Sequence, residues 1–155
     1  METPPLDIGF SNIHKGGWGT FARTKIPKDT FLGEYCGEVI PETEANRRGI
    51  IYDLFNMSFL FDICKGYVVD SSRSGTKMKW INHLPEFDSS DEEEEEEKDT
   101  MNYANCRSVI TSVRGDPHIC LFSKRDILPG EELCFDYNHG SQRGATVPNF
   151  YRQKH

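Results

Sequence analysis

Four short blocks of the sequence concentrate the residue types that bind ligands and position reacting groups. Glycine lets the backbone approach a ligand closely, an asparagine amide donates and accepts hydrogen bonds, and a tyrosine hydroxyl can hold a reacting atom. Each pattern alone is weak, because a Gly-x-Gly turn, a lone histidine or an aromatic residue in a strand is more often structural. The blocks are Gly17-Trp18-Gly19, Gly33 to Glu38, Trp80 to His83 with the separated Asn102 to Cys106, and Gly130 to Tyr137.

The elements that position these blocks must share one core. A chain of 155 residues with 36% hydrophobic composition is long enough for one compact domain and too short for two ordinary ones. No run approaches the roughly 18 apolar residues of a membrane span, and residues Met1 to Asp7 do not resemble a signal peptide. We therefore expect a soluble protein that is not exported. Five cysteines without a CxxC pair favour reduced intracellular thiols over a disulfide framework or a zinc cluster.

The net negative charge of the chain comes from one segment. Residues Asp88 to Asp99 contain nine acidic residues and one lysine, a local charge of −8 within a total of −7, so the rest carries +1. Such a run cannot bury apolar surface, and we expect a disordered, solvated insert over residues 86–100. Its simplest interpretation is a tolerated surface loop without a task. The alternative is that it attracts a basic partner.

Outside the insert, the sequence predicts short strands separated by turns. Segments rich in β-branched and aromatic residues predict strands, and Arg114 to Pro117 resembles a hairpin turn. Pro41 to Asn56 is the best helix candidate because it combines helix-forming residues with a proline at an allowed first-turn position. Many strands with little helix predict a mainly β, β-rich α+β domain. The predicted strands are Thr20 to Ile26, Phe31 to Ile40, Ser58 to Ile63, Tyr67 to Asp70, Arg107 to Val113, His118 to Ser123 and Gly130 to Tyr137.

The four blocks, in this order and within one domain length, resemble the signature of SET-domain protein lysine methyltransferases. The segments 34–40, 46–53, 58–62 and 68–75 are similar to the Enhancer-of-zeste branch in particular. The resemblance implies a fold of small curved sheets in which the C-terminal segment threads through a preceding loop, forming a pseudoknot. It divides the chain into a lead-in (1–15), a SET domain (16–138) and a post-SET-like tail (139–155), which we expect to be loose when nothing holds it.

The resemblance also implies a cofactor, S-adenosyl-L-methionine, and the residues that bind it. Gly17 and Gly19 would let the backbone approach its methionine end, while Trp18 packs beside it. Asn82 and His83 would hold its amino acid and adenine portions, His83 mainly through its backbone. Ser58 and Tyr137 complete the cofactor-binding set, and no metal is implied.

An aromatic channel for the substrate lysine is the second implied feature. It consists of Tyr35, Phe59, Phe61, Phe135 and Tyr137, with Tyr137 and Tyr35 as the catalytic residues. A lysine amine with a pKa near 10.4 is neutral in only about one molecule in 2,500 at pH 7, so the channel must favour the neutral form. Both a nearby sulfonium and an apolar aromatic tube lower this pKa, and no dedicated general base is then required.

Family membership implies a nuclear, chromatin-bound protein that represses transcription. Its substrate would be the histone H3 tail, at a lysine 27-type site, and its partners would be Polycomb-type complex subunits, with neither membrane binding nor sequence-specific nucleic acid binding. Two alternatives stay open, a catalytically silent SET module that binds histone tails and a methyltransferase for a non-histone protein. Leu84 and Ala104 replace a serine and a proline of the family pattern, and the insert lies in the pseudoknot loop. The absence of a cysteine-rich segment before Gly17 suggests a truncated relative or a fragment.

Overall fold

The computed structural model describes residues 2–57, 59–84 and 103–137. Within these ranges the chain forms ten short strands, one α-helix and one 3-10 helix. The strands are β1 Leu6–Phe10, β2 Trp18–Ala22, β3 Phe31–Glu34, β4 Glu38–Pro41, β5 Leu60–Cys64, β6 Tyr67–Asp70, β7 Asn82–His83, β8 Cys106–Val113, β9 Asp116–Ser123 and β10 Cys134–Phe135, and the helices are α1 Glu42–Leu54 and the 3-10 helix Lys77–Trp80.

The strands form three small sheets, which confirms the predicted β-rich SET fold. One is the β1–β2 hairpin, one has the order β4-β6-β5, and the largest has the order β3-β9-β8-β10-β7. The β8–β9 hairpin turns through Arg114 and Gly115, both with positive φ (55° and 95°). This is the backbone geometry that two-residue hairpin turns require. The main core lies where the three sheets meet and contains residues from all of them, Leu6, Phe61 and Leu121 among others.

Strand β10 supplies the threading that the family resemblance implies. It lies between β7 and β8 and runs parallel to both, with Cys134 opposite Asn82 and Phe135 opposite both His83 and Cys106. The C-terminal strand is thus inserted between the two segments that flank residues 85–102. Asn105 secures it, because the buried amide donates to the carbonyl oxygen of Glu132 at 2.8 Å and accepts from the Cys134 N–H at 2.9 Å.

Helix α1 is attached to the β4-β6-β5 sheet by a charged cluster around Arg48. The Arg48 guanidinium donates to Glu38 and Asp70 at 2.8 Å and to Glu44 at 2.8 Å. Asp70 is buried, with a side-chain exposure of 1%, and also accepts a 2.8 Å hydrogen bond from the Tyr52 hydroxyl. This cluster ties α1 to the sheet, and removing Arg48 would leave the buried Asp70 charge without a cation.

Several predicted boundaries were wrong for identifiable reasons. The predicted strand Phe31 to Ile40 is two strands in different sheets, because the chain leaves the first sheet at Tyr35 and enters the second at Glu38. The predicted strand Thr20 to Ile26 begins earlier and ends at Ala22, where β2 stops pairing with β1. The predicted strand Gly130 to Tyr137 is regular only at Cys134–Phe135, since the residues before it contact β2 only through an isolated bridge, with bonds such as that from the Leu133 N–H to the Thr20 carbonyl oxygen.

The other predictions are confirmed or lie outside the described residues. The prediction for β6 matches its bounds, β8 and β9 are each slightly longer than predicted, and β5 begins at Leu60 and ends at Cys64, one residue later than predicted. Helix α1 begins one residue after Pro41, its N-cap, and ends at Leu54, two residues before the predicted end at Asn56. Strand β1 and the 3-10 helix were not predicted. The predicted insert over 86–100, the tail 139–155 and Ser58 all fall outside the described ranges. In the part of the chain that is described, no helix is long and apolar enough to cross a membrane.

Candidate active site

Four aromatic rings form a continuous row inside the core. The Tyr35 and Phe61 ring centroids are 5.3 Å apart, Phe61 and Phe135 stack at 5.8 Å, and Phe135 and Tyr137 lie 4.7 Å apart. All four are less than 10% exposed. With Leu60, Lys79 and Ile81 they line a narrow channel of about 10 Å³. That is close to the smallest space that holds one water molecule, so the channel is nearly closed in this structure.

A larger pocket of about 180 Å³ adjoins the channel. Aromatic walls from Trp18, Phe55, Phe59 and Trp80 suit a planar or cationic ligand, and polar groups come from His14, Lys79 and Asn82. The Lys79 ammonium lies 5.0 Å from the Trp80 ring centroid and 5.6 Å from that of Phe59. The pocket therefore offers aromatic surface together with a few convergent polar groups, as ligand sites usually do.

Tyr137 stands where the pocket and the channel meet, since it lines both of them. Its hydroxyl donates to the Ile81 carbonyl oxygen at 2.9 Å, and its backbone N–H donates to His83 Nδ1 at 3.1 Å. The His83 ring packs 5.1 Å from the Tyr137 ring. The tyrosine is therefore held at the hydroxyl, the ring and the backbone, which gives it one orientation.

The polar end of the pocket is built around Asn82. Its Nδ2 donates to Ser11 Oγ at 3.1 Å, to the Trp18 carbonyl oxygen at 3.0 Å and to Glu132 Oε1 at 2.9 Å. Ser11 lies in the loop after β1, and Glu132 lies just before β10. The sequence did not assign a role to either residue, although Glu132 is part of the last block, Gly130 to Tyr137.

The two glycines of the first block make room for neighbouring side chains. A Cβ atom on Gly17 would overlap the His14 ring, and one on Gly19 would overlap the Glu132 carboxylate. Gly17 lines the pocket with Trp18, whereas Gly19 is not among its lining residues. Their lack of side chains thus shapes the loop and the polar end of the pocket.

The far end of the channel is kept neutral. Burial raises the pKa of the Tyr35 phenol well above its usual 10.0, although a hydrogen bond with Ser71 lowers it in part, so the hydroxyl stays protonated.

Phe59 is braced on two sides, by Tyr52 at 5.8 Å and Trp80 at 5.6 Å, both edge to face. The Tyr52 hydroxyl is in turn fixed by buried Asp70. Helix α1 thereby supports the wall between pocket and channel.

The structure brings most of the predicted site residues together. Tyr35, Phe61, Phe135 and Tyr137 line the channel, while Phe59 lines the adjoining pocket instead. His83 contacts Tyr137 and is not among the pocket-lining residues, and the predicted Ser58 is outside the described residues. Within the described ranges, no group of three or more His, Cys, Asp or Glu side chains could hold a metal ion. Lys79, Trp80 and Ile81 were missed as lining residues, although they directly precede the Asn-His pair.

Two plant proteins are among the relatives in sequence. Histone-lysine N-methyltransferase CLF of Arabidopsis thaliana is 38% identical over 139 residues, and histone-lysine N-methyltransferase EZ1 of Zea mays is 39% identical over the same length. Each alignment covers 90% of this chain and 13% of the relative. The chain thus spans about an eighth of the length of these relatives.

Solved structures of Polycomb Repressive Complex 2 share the fold. An active form in the basal state matches with 26% identity and a TM-score of 0.70, over 94% of this chain and 17% of that one. A humanized mutant of the Chaetomium thermophilum complex, bound to the inhibitor GSK126, matches with 28% identity and a TM-score of 0.69, over 88% and 15%.

A family model for the SET domain matches residues 17–138, which is most of the chain. These residues include the aromatic channel, Asn82 with Glu132, and the threaded strand β10. The lead-in before them adds β1, which pairs with β2 along its full length. The protein therefore belongs to the SET-domain family, with sequence similarity to Enhancer-of-zeste-type histone-lysine methyltransferases.

Proposed function

We propose that this chain is the catalytic domain of a protein lysine N-methyltransferase that uses S-adenosyl-L-methionine. The observation that carries the proposal is the meeting of a narrow aromatic channel with a larger, partly polar pocket at Tyr137. A lysine side chain is a slender apolar stem with one reactive end, which the channel would admit once its aromatic rings move apart. The cofactor is bulky and carries aromatic, cationic and amino acid groups, which suit the pocket.

The pocket residues fit the cofactor by chemical type. Trp18, Phe55 and Trp80 offer aromatic faces for its purine and its positively charged sulfur. The Asn82 amide and the Lys79 ammonium offer polar groups for its amino acid end. When bound, S-adenosyl-L-methionine would supply a methyl group activated by attachment to a sulfonium.

The channel prepares the substrate amine by desolvation. Tyr35, Phe61 and Phe135 surround the lysine stem with buried aromatic surface, and burial lowers the pKa of a lysine ammonium. At pH 7 the neutral amine lies roughly 4.6 kcal/mol above the ammonium in free energy, and desolvation offsets part of that amount. The fixed Tyr137 ring and hydroxyl then align the amine nitrogen with the pocket, so catalysis rests mainly on positioning.

The substrate we propose is the tail of histone H3, at a lysine 27-type site by resemblance. The two plant relatives are named as histone-lysine N-methyltransferases, and the similar solved structures are of Polycomb Repressive Complex 2. We infer accordingly that the protein acts on chromatin in the nucleus, with partner subunits of Polycomb type, and contributes to transcriptional repression.

Incubation with methyl-labelled cofactor, intact histones and a cell lysate, followed by mass spectrometry, tests both reaction and substrate. We expect label on lysine of histone H3, and Tyr137→Phe should lower turnover at least about a hundredfold, or 2.7 kcal/mol. The same change should cost only about 1 kcal/mol of stability, because one hydrogen bond to Ile81 is lost and the ring packing is kept. Label found only on other proteins would show that histone H3 is not the substrate. Cofactor binding without any transfer would indicate a silent module.

A further inference from the structure

The Glu132 carboxylate joins segments that are far apart in the sequence. The residue is 7% exposed. Its Oε1 accepts hydrogen bonds from Ser11 Oγ at 2.7 Å and Asn82 Nδ2 at 2.9 Å, and its Oε2 accepts from the Asn12 N–H at 2.8 Å. A side chain on Gly19 would overlap it. Both carboxylate oxygens are therefore occupied by donors of the protein itself, in a site shaped to receive them.

The Asn82 amide nitrogen is hydrogen-bonded within the protein, whereas its amide oxygen is available to a ligand. The two hydrogens on Nδ2 face three acceptors, from Ser11, Trp18 and Glu132. Among the described residues, Oδ1 has no hydrogen-bond partner, and Asn82 lines the larger pocket. An acceptor is thus the group left for a ligand, and it suits a donor such as the ammonium of an amino acid.

We propose that Glu132 is a positioning residue that fixes the Asn82 amide with its oxygen toward the pocket. A carboxylate only accepts hydrogen bonds, so it can pair with the nitrogen of the amide and not with the oxygen. Glu132 does not line the pocket and acts through Asn82. The inference rests on the proposed function, because it assigns the amide oxygen to the amino group of S-adenosyl-L-methionine. Charge-assisted bonds of this kind are stronger than neutral ones, which makes them suited to hold an orientation.

Glu132→Gln is the variant that tests the orientation. Glutamine keeps the size but adds an NH2 group, which pairs with the Asn82 oxygen if that amide turns over and then presents its nitrogen to the ligand. We expect cofactor affinity, measured by calorimetry, to fall about tenfold or more, within reach of one misplaced hydrogen bond. Turnover at saturating cofactor should change less than about threefold, because the channel and Tyr137 are untouched.

Glu131→Gln is the matched control. Glu131 is equally buried and adjacent, but its carboxylate pairs with Arg125, Asn105 and the Leu128 N–H, away from Asn82. We expect this variant to lose stability and to keep cofactor affinity within about twofold. Equal losses of affinity in both variants would overturn the proposal, because general destabilisation would then explain the effect.

One further measurement separates this inference from the proposed function. The side-chain NH2 resonance of Asn82, followed by NMR without cofactor, should shift in Glu132→Gln and not in Glu131→Gln. An unmoved resonance refutes the positioning role. A moved resonance in a protein that binds no S-adenosyl-L-methionine supports it and refutes the cofactor.

Discussion

Replacing Phe135 with tyrosine should limit the number of methyl groups that the enzyme adds to lysine. Phe135 is 3% exposed, stacks on Phe61 and lies 4.7 Å from the Tyr137 ring centroid. It lines a channel of about 10 Å³, near the minimum that accommodates one water-sized group. A new hydroxyl in that space would hold a water or the amine and leave less room for added methyl groups.

The magnitude follows from one hydrogen bond. A net contribution of about 1.4 kcal/mol changes a rate tenfold. We therefore expect the first methyl transfer to change little, while the third slows by at least about tenfold, so that Phe135→Tyr stops near one methyl. Tyr35 acts in the opposite direction, because its neutral hydroxyl can hydrogen-bond an unmethylated amine. Tyr35→Phe should relieve the later steps, which in the wild type become successively slower.

The assay is a time course on peptides that carry zero, one or two methyl groups on the target lysine. Wild type and the two channel variants are compared with Phe122→Tyr, which adds the same hydroxyl to a ring that packs against Phe31 outside the channel. The control should keep the wild-type product ratio. Trimethyl-lysine formed by Phe135→Tyr at the wild-type rate would refute the reasoning, because Phe135 could not then line the channel.

Three further predictions concern binding, stability and capture of substrate. Asn82→Ala should abolish measurable cofactor binding in calorimetric titration, and unchanged affinity would place the site elsewhere. Arg48→Met should destabilise the fold by about 3 kcal/mol at neutral pH by leaving Asp70 buried and unpaired. Burial opposes ionisation of Asp70, but its hydrogen bonds with Arg48, Ser72 and Tyr52 together outweigh burial and lower the pKa, so this stabilisation is complete above about pH 4 and is lost as pH falls below it. Urea titrations from pH 2 to 7 should therefore show a flatter profile in the variant, and equal slopes would contradict the role of the pair. Deleting residues 88–99 should leave the fold intact while weakening capture of basic substrates, most visibly at low salt, and a variant that does not fold would show the insert to be structural.

Local patterns in the sequence were sufficient for some elements and not for others. Strand β6 and the Arg114-Gly115 turn follow from β-branched residues and from turn chemistry that acts within a few residues. The break between β3 and β4 does not follow from local patterns, because tyrosine is common in strands. Tyr35 nevertheless lies outside both strands and lines the channel. The four-residue 3-10 helix Lys77–Trp80 is too short to show a helical period.

The candidate site divides in the same way. The channel aromatics Phe61 and Phe135 could be assigned from the resemblance, because they lie inside its motifs. At the polar end Asn82 could be assigned in the same way, but its partners Ser11 and Glu132 could not, since the three residues are brought together across sequence separations of 50 to 121 residues. Such long-range contacts leave no periodic pattern in the sequence. The sequence also does not show which of the adjacent residues Glu131 and Glu132 bonds to the pocket residue Asn82.

The position of the acidic insert explains how the threaded fold accommodates it. Residues 85–102 leave from β7 and return before β8, and both strands are bonded to β10. The ends of the loop are therefore held by Asn82 and Cys106, whatever lies between them. Closing a longer loop between fixed ends is inexpensive, since each doubling of its length costs only about 0.6 kcal/mol. The buried Asn105 amide, which bonds Glu132 and Cys134, keeps β10 in place independently of the loop. The segment between β7 and β8 can thus be lengthened without moving the channel or the pocket.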